Sequence, residues 1–272
     1  MSNALSAWTT FGIGGPARRI VVANDVSELA GYAASGALVL GGGSNVLVSD
    51  DGIDREVAIN RCQGIAINGE IVTVLSGERL PQLCAYLAEA GLSGMEWACG
   101  IPGSAGGALV MNAGAFSRSM SDVAVGAEIV RGGKRIYLDR DELGLSYRAS
   151  AIMPTDTVLS VTIELDRAAP ALVKARCKRF AAERRAKQPT GKTAGSIFKN
   201  PDGISVGRVL DEAGLKGTRI GGAIISPVHA NIIVNTGGAT ARDVTALIGI
   251  MRRALADAGV DAQEEIKYIG EF

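Results

Sequence analysis

Histidine is almost missing from this chain: His229 is the single one in 272 residues. That argues against a zinc site built on histidines and against a serine–histidine–aspartate triad. The four cysteines (Cys62, Cys84, Cys99, Cys177) form no C-x-x-C pair and read as buried thiols. No apolar run reaches the roughly 18 residues needed to cross a bilayer. The N-terminal Met1-Ser2-Asn3-Ala4-Leu5-Ser6 lacks the basic-then-apolar pattern of a secretory signal. No long block of one charge sign is present, and 28 basic residues balance 28 acidic ones. Nucleic acid and membrane surfaces are therefore poor partners. The expectation is a soluble cytoplasmic monomer that acts on a small molecule and holds no metal.

Glycine, in contrast, is plentiful: 36 residues, about twice the usual ~7% share. Gly100-Ile101-Pro102-Gly103-Ser104-Ala105-Gly106-Gly107-Ala108-Leu109-Val110-Met111-Asn112-Ala113-Gly114-Ala115 packs five glycines and a proline into sixteen residues. Without a Cβ, such backbone admits another molecule closely, and its amides can hold an anion such as a pyrophosphate. One cluster alone reads equally well as a pair of tight turns. The second cluster, Gly41-Gly42-Gly43-Ser44-Asn45, shifts the balance toward one large phosphorylated cofactor touched by both.

The length suits two domains, or three small ones, with a substantial core. Residues 9–15 form a turn-rich entry. Strands are expected at 18–23, 37–40, 46–48 and 57–59. A helix opens at Asp25, with Glu28 completing a capping box. This is a small strand–helix–strand unit with a glycine loop at a strand end, where open α/β sheets bind ligands. Alternation over residues 65–75 around Asn68-Gly69 predicts a hairpin. A helix follows over 80–90, with Pro81 in its first turn and Gly91 past its end. Beyond the glycine stretch, strands are expected at 123–130 and 134–138 around Gly132-Gly133, and at 158–165. A basic helix over 172–187, ending at Gln188-Pro189, reads as a linker. After it come a helix near 206–213, a strand within 230–235, a helix over 241–258 with Asp243 in its first turn, and a last strand over 264–270.

Seven motifs then coincide in order. They are Thr10-Phe11-Gly12-Ile13-Gly14-Gly15, the Gly41–Asn45 cluster, Gly100-Ile101-Pro102-Gly103, Met111-Asn112-Ala113-Gly114-Ala115, Ser146-Tyr147-Arg148, Ala194-Gly195-Ser196-Ile197-Phe198-Lys199-Asn200-Pro201 and Asp211-Glu212-Ala213-Gly214-Leu215-Lys216-Gly217. With them the chain resembles the UDP-N-acetylenolpyruvoylglucosamine reductase family nearly end to end. The resemblance implies an α+β fold: an FAD-binding fold of the vanillyl-alcohol oxidase type in two subdomains (1–60 and 61–168), then an α/β substrate-binding domain (169–272). It implies FAD, NADPH as hydride donor, and reduction of an enolpyruvyl ether. With no histidine in the N-terminal half, FAD is expected to be non-covalent. Cys99 beside the glycine stretch reads as a small buried residue.

The resemblance also assigns residues. The cofactor is expected on Gly41, Gly42, Gly43, Ser44, Asn45, Gly100, Ile101, Pro102, Gly103, Ser104, Gly106, Gly107, Asn112, Ala113 and Gly114. Ser196 matches the proton donor; on composition alone it reads as a loop or cap residue. Arg148 matches an arginine beside the developing enolate, where a guanidinium holds a carboxylate bidentately; otherwise it is a surface arginine after a strand. Glu265 matches the acidic residue near the α-carbon, with Glu264 left open as the alternative. Tyr147, Lys187 and Asn200 match substrate contacts, although Lys187 also suits the end of a basic helix. His229 reads as structural. The chain lacks a segment that fuller-length relatives insert after the Tyr147-Arg148 strand, and so resembles the shorter subclass. Two other classes compete. An FAD oxidase of a sugar or hydroxy acid would not need Ser196. A nucleotide-sugar binding module accounts for the glycine loops but not for Arg148, Ser196 and Glu265 together.

Overall fold

A computed structural model describes residues 3–201 and 203–272; Met1, Ser2 and Asp202 lie outside the described residues. Its packing separates two compact units that the chain enters more than once. The larger comprises Ile20–Gly42 and Glu56–Arg184, the smaller Met1–Arg19, Gly43–Arg55 and Arg185–Phe272. The division 1–60, 61–168 and 169–272 is the one expected by role. Compactness cuts elsewhere because distant segments share one core: Phe11, Ile13 and Leu47 are buried in the same cluster as Ile197, Leu247 and Ile266.

β1 (Ala17–Ala23) leads into α1 (Val26–Ala34). The Asp25 carboxylate accepts the Glu28 amide at 2.9 Å. Glu28 returns to the amide of Asn24 and not of Asp25, so the expected box closes one residue early. β2 (Leu38–Leu40) ends at the first glycine cluster, and β3 (Val46–Val48) and β4 (Ile53–Asn60) follow. β4 is the middle strand of a three-stranded sheet, with β1 and a parallel β2 beside it. The expected strand–helix–strand unit is present, with β4 inserted between its strands.

β5 (Ile65–Asn68) and β6 (Ile71–Leu75) make the predicted hairpin. Asn68 pairs with Ile71, so its loop is Gly69-Glu70, one place later than Asn68-Gly69. Gly69 supplies the positive φ, 65°, that such a tight loop needs. α2 (Leu80–Glu89), α3 (Ala105–Val110), β7 (Ala124–Arg131), β8 (Lys134–Asp139) and β9 (Thr157–Glu164) complete the larger unit's antiparallel sheet and its cover, in strand order β8-β7-β9-β6-β5. In β9, Leu159 packs with Leu29 of α1, while Val161 and Ile163 join Leu83, Leu87, Trp97 and Leu109. From Leu159 the strand alternates, with buried Leu159, Val161 and Ile163 between half-buried Ser160 and Thr162 and before exposed Glu164.

α4 (Pro170–Lys187) starts on its proline, where a missing N–H removes no helical bond. This helix, read as a linker, has contacts of its own. Val173 is buried, Phe180 meets Phe116 with ring centroids 4.7 Å apart, and Arg176 reaches the Ser93 hydroxyl at 3.2 Å. Its residues up to Arg184 belong to the larger unit.

The smaller unit contains α5 (Val206–Glu212), β10 (Arg219–Ile220), β11 (Ala223–Ile225), β12 (Ile233–Asn235), α6 (Ala241–Asp257) and β13 (Lys267–Ile269). β10, β11 and β12 form an antiparallel sheet. At the start of α6 the Thr240 hydroxyl accepts the Asp243 amide, and the Asp243 carboxylate accepts the Thr240 amide, each at 3.0 Å. Asp50 takes the Ala241 and Arg242 amides at 2.7 and 3.1 Å. The helix buries Val244, Leu247, Ile248, Met251 and Leu255. The last strand is shorter than expected: β13 pairs in parallel with β3 over three residues, and Glu264 is joined to Phe198 by an isolated bridge.

Removing the buried side chain in Leu247→Ala should lower the unfolding free energy by about 2–5 kcal/mol. Thr240→Ala should lower it by about 1 kcal/mol. Urea unfolding of both variants checks the order; the reverse order would mean that the cap, and not the buried face, holds α6.

Candidate active site

The two glycine runs meet in the larger unit. A Cβ on Gly41 would lie 2.5 Å from Ser104 Oγ, and one on Gly42 would lie 2.6 Å from Gly103 Cα. At Gly42 the approach is backbone against backbone, and any side chain there would force the loops apart; at Gly41 the neighbour is the Ser104 side chain. The second run is anchored on α2: the Leu80 amide donates to the Gly103 carbonyl at 3.1 Å, and the Ala105 amide to Glu78 at 2.8 Å. Ser104 caps α3 through the Gly107 amide, at 3.4 Å. The Gly106 amide is taken by the Ser76 carbonyl at 2.9 Å. Among the described residues of the larger unit, the amides of Gly42 and Gly103 have no protein acceptor. Amides on small residues around a turn are what a pyrophosphate takes, so these residues fit the diphosphate of FAD.

Arg148 is fastened to the far end of the same stretch. Its Nη2 donates to the Gly114 carbonyl at 2.9 Å. It occupies a tight turn closed by Ser146 and Ala149, whose reciprocal amide–carbonyl bonds are 3.0 and 3.1 Å. Its φ is +54°, a left-handed conformation that costs a non-glycine residue about 1–2 kcal/mol. Asn112 pins this turn: its Nδ2 donates to the Ser146 carbonyl at 2.7 Å, and its Oδ1 accepts the Ser121 amide at 2.9 Å. Placed at the cofactor by the sequence, Asn112 has its side chain on protein. Tyr147 is exposed, its ring centroid 5.4 Å from the Arg148 guanidinium carbon. Arg184, which the sequence reading passed over, lies on Gly100, where a Cβ would come 2.9 Å from its Cδ. Burial and then the charge of Arg148 hold its guanidinium below the usual arginine range. Two guanidiniums thus interact where the glycine stretch begins and ends, an arrangement that favours an anion.

The smaller unit brings Ser196, Glu265 and Asn45 together. Gly195, at φ +80°, turns the chain into Ser196, and its amide donates to Thr193 Oγ1 at 3.1 Å. The Glu265 amide donates to the Ile197 carbonyl at 2.7 Å, so Ser196 and Glu265 lie on adjacent main-chain segments. Asn45 holds this region: its Nδ2 donates to the Glu265 carbonyl at 3.0 Å, and its carbonyl accepts the Lys267 amide at 3.0 Å. Glu264 is engaged elsewhere. Its carboxylate pairs with Arg252 and accepts the Tyr268 hydroxyl at 2.6 Å. Lys187 is exposed at the end of α4, and Asn200 is exposed with its Oδ1 accepting the Val206 amide at 3.0 Å.

Three of the thiols, Cys62, Cys99 and Cys177, are pushed above the usual cysteine range. Burial is the largest cause that pushes Cys62 up to about 11. Cys99 and Cys177 are half-buried instead of buried. A hydrogen bond with Cys177 pulls the Cys99 thiol down, but a bond with Cys84 and burial outweigh it, to about 12. Neither supplies a thiolate at neutral pH.

Residues 22–136 match the family model for an FAD binding domain, which places the chain among FAD-binding proteins. Residues 187–269 match the C-terminal domain of UDP-N-acetylenolpyruvoylglucosamine reductase. Enzymes of that name from Rubrobacter xylanophilus and Thermotoga petrophila are 38% and 39% identical to it. Each alignment covers 98% of this chain, and 94% and 97% of the relative. The crystal structure of the reductase from Thermus caldophilus superposes with a TM-score of 0.87 at 37% identity, over 98% of this chain and 97% of that one. The chain belongs to the UDP-N-acetylenolpyruvoylglucosamine reductase family. The expected α+β arrangement, an FAD-binding domain followed by a C-terminal domain, is the one found.

Gly42→Ala should separate the loops and weaken FAD retention at least about tenfold, the scale of overpacking a close contact. Gly31→Ala on α1, where a Cβ meets nothing within 4 Å, should retain FAD normally. Flavin-to-protein absorbance ratios after gel filtration check both; equal retention would mean that the loop contact does not shape the site.

Proposed function

We propose that this chain reduces UDP-N-acetylglucosamine enolpyruvate to UDP-N-acetylmuramate, with NADPH as reductant and FAD held non-covalently. The observation that carries the reading is the end-to-end relation to the reductases, 98% of the chain at 38–39% identity. Three motif residues, Arg148, Ser196 and Glu265, have a main-chain setting that fits their parts. When bound, FAD supplies the hydride equivalent that reaches the enolpyruvyl β-carbon, having drawn it from NADPH.

Arg148 holds the enolpyruvyl carboxylate with its planar fork and stabilises charge that grows at the α-carbon. The strained turn, fixed by Asn112, keeps that fork aimed without reorganisation during the reaction. Ser196 gives its hydroxyl proton to the α-carbon. A hydroxyl is a weak acid, but a carbanion beside a carboxylate is a strong enough base to take the proton. Glu265 shares the enolate charge, since Glu264 is occupied by Arg252 and Tyr268. Lys187 and Asn200 contact the diphosphate and sugar, and Tyr147 also contacts the substrate. The roles fall to three structural regions, 1–60 and 61–168 for the cofactor and 169–272 for the substrate, in a cytoplasmic monomer.

Ser196→Ala should leave reduction of the flavin by NADPH near normal and slow its reoxidation by substrate roughly 10²-fold or more, the scale of a lost acid catalyst. Anaerobic stopped-flow absorbance reads each half-reaction separately, and equal slowing of both would rule out a proton donor. Arg148→Lys should retain FAD yet lose most turnover, because lysine keeps the charge without the fork. Normal steady-state turnover would make Arg148 a bystander.

A further inference from the structure

Asn231 is 2% exposed in the smaller unit's core. Its Oδ1 accepts the Phe198 amide at 3.0 Å, and its Nδ2 donates to the Phe198 carbonyl at 2.8 Å. One side chain thus engages both main-chain groups of a single residue, beside the isolated bridges that pair Ser196 with Ile232 and Phe198 with Glu264. Its own carbonyl accepts the Ile197 amide at 2.9 Å, and its amide donates to His229 Nδ1 at 3.2 Å. Burial is the main cause that lowers the His229 imidazolium's stability, so the ring stays a neutral acceptor. The opposite edge of the same segment is held too: the Lys199 amide donates to the Gln263 carbonyl at 2.8 Å and the Glu265 amide to Ile197 at 2.7 Å.

We propose that Asn231 is the positioning residue for the Ser196 hydroxyl: it clamps the main chain at Ile197 and Phe198 and so fixes where Ser196 presents its oxygen. The inference rests on the reading of Ser196 as proton donor. A serine side chain has one heavy-atom torsion, so with the main chain fixed its oxygen has three staggered positions to choose from. With the main chain free to shift, those positions shift as well, and a displacement near 1 Å costs a reacting group about 10²-fold. Asparagine suits the task because it carries a donor and an acceptor on a short stem. Alanine has neither. Ionised aspartate keeps the acceptor and turns a second oxygen toward the Phe198 carbonyl. Either change leaves buried main-chain groups unpaired, and the chain moves to find partners.

The test is a double-mutant cycle on the flavin-loaded enzyme, read by anaerobic stopped flow. Asn231→Ala should slow reoxidation of the flavin by substrate about tenfold or more while flavin reduction by NADPH stays near normal. In the Ser196→Ala background the same change should slow reoxidation less than about twofold further, because a residue acting through Ser196 has nothing left to position. Asn231→Asp, nearly isosteric, repeats the cycle if the alanine variant does not fold, with the same direction expected. Three results overturn the inference: normal reoxidation in both Asn231 variants, equal slowing of both half-reactions, or fully additive losses with Ser196→Ala. Normal reoxidation in Ser196→Ala alone removes the proton donor, and this inference with it. A slow Ser196→Ala beside normal Asn231 variants removes only the positioning role.

Discussion

Backbone touching backbone is the constraint on which the cofactor half of this protein depends. Gly41 and Gly42 reach Gly103 and Ser104 so closely that a single methyl on either glycine would fall inside another atom's contact distance. Secondary structure sets up this contact from two directions. β2 stops at Leu40, and the second loop is held by Leu80 at the start of α2 and by the carbonyl of Glu78 just before it. Amides left without protein acceptors then gather on residues that have almost no side chain. The same stretch continues to Gly114, where its carbonyl fixes Arg148. A loop selected for small residues therefore also supplies the anchor for a charged one.

Buried asparagines play the corresponding part in the smaller unit. Asn235 donates to the Phe11 carbonyl at 2.9 Å and accepts the Gly237 amide at 2.9 Å. Asn231 clamps Phe198, and half-buried Asn45 ties down Glu265. None of these segments belongs to a long sheet, and buried main-chain groups without partners are costly. Side-chain amides close what a ladder would have closed. They join pieces that lie far apart in sequence, which is why this unit gathers three separate stretches of chain around one core.

The legibility of these features in the sequence follows from their range. The hairpin over β5 and β6, the positive-φ turn at Gly132-Gly133 and the caps of α1 and α6 depend on residues a few places apart, and local pattern reveals them. Even there, the loop at Gly69-Glu70 slipped by one place, because alternation marks the strands more firmly than it marks the turn. The glycine runs were visible as loops, but their mutual contact joins residues some sixty places apart and leaves no local trace. Asn112 is expected at the cofactor by resemblance; its side-chain bonds to Ser146 and Ser121 join segments outside its motif, which leave no local trace. Glu264 and Glu265 were indistinguishable by neighbourhood alone. Arg252 and Tyr268 hold the Glu264 carboxylate, one from a helix and one from a strand.

Arg148 shows why site residues are harder to read than core residues. A β-turn whose third residue takes a positive φ favours glycine or asparagine there, and nothing in Ser146-Tyr147-Arg148-Ala149 announces such a turn. The chain accepts a left-handed arginine because three other contacts over-determine it: the paired amide and carbonyl of Ser146 and Ala149, the Asn112 clamp, and the Gly114 carbonyl. Strain of this kind persists only where the surrounding structure over-determines it. Local preference would place glycine or asparagine in this turn, and glycine would bring no guanidinium to the carboxylate in the proposed reaction. The same left-handed backbone recurs at Asn112, Phe116 and Ser117, so the contacts that fix the Arg148 side chain, and not its φ alone, are what the proposed role rests on.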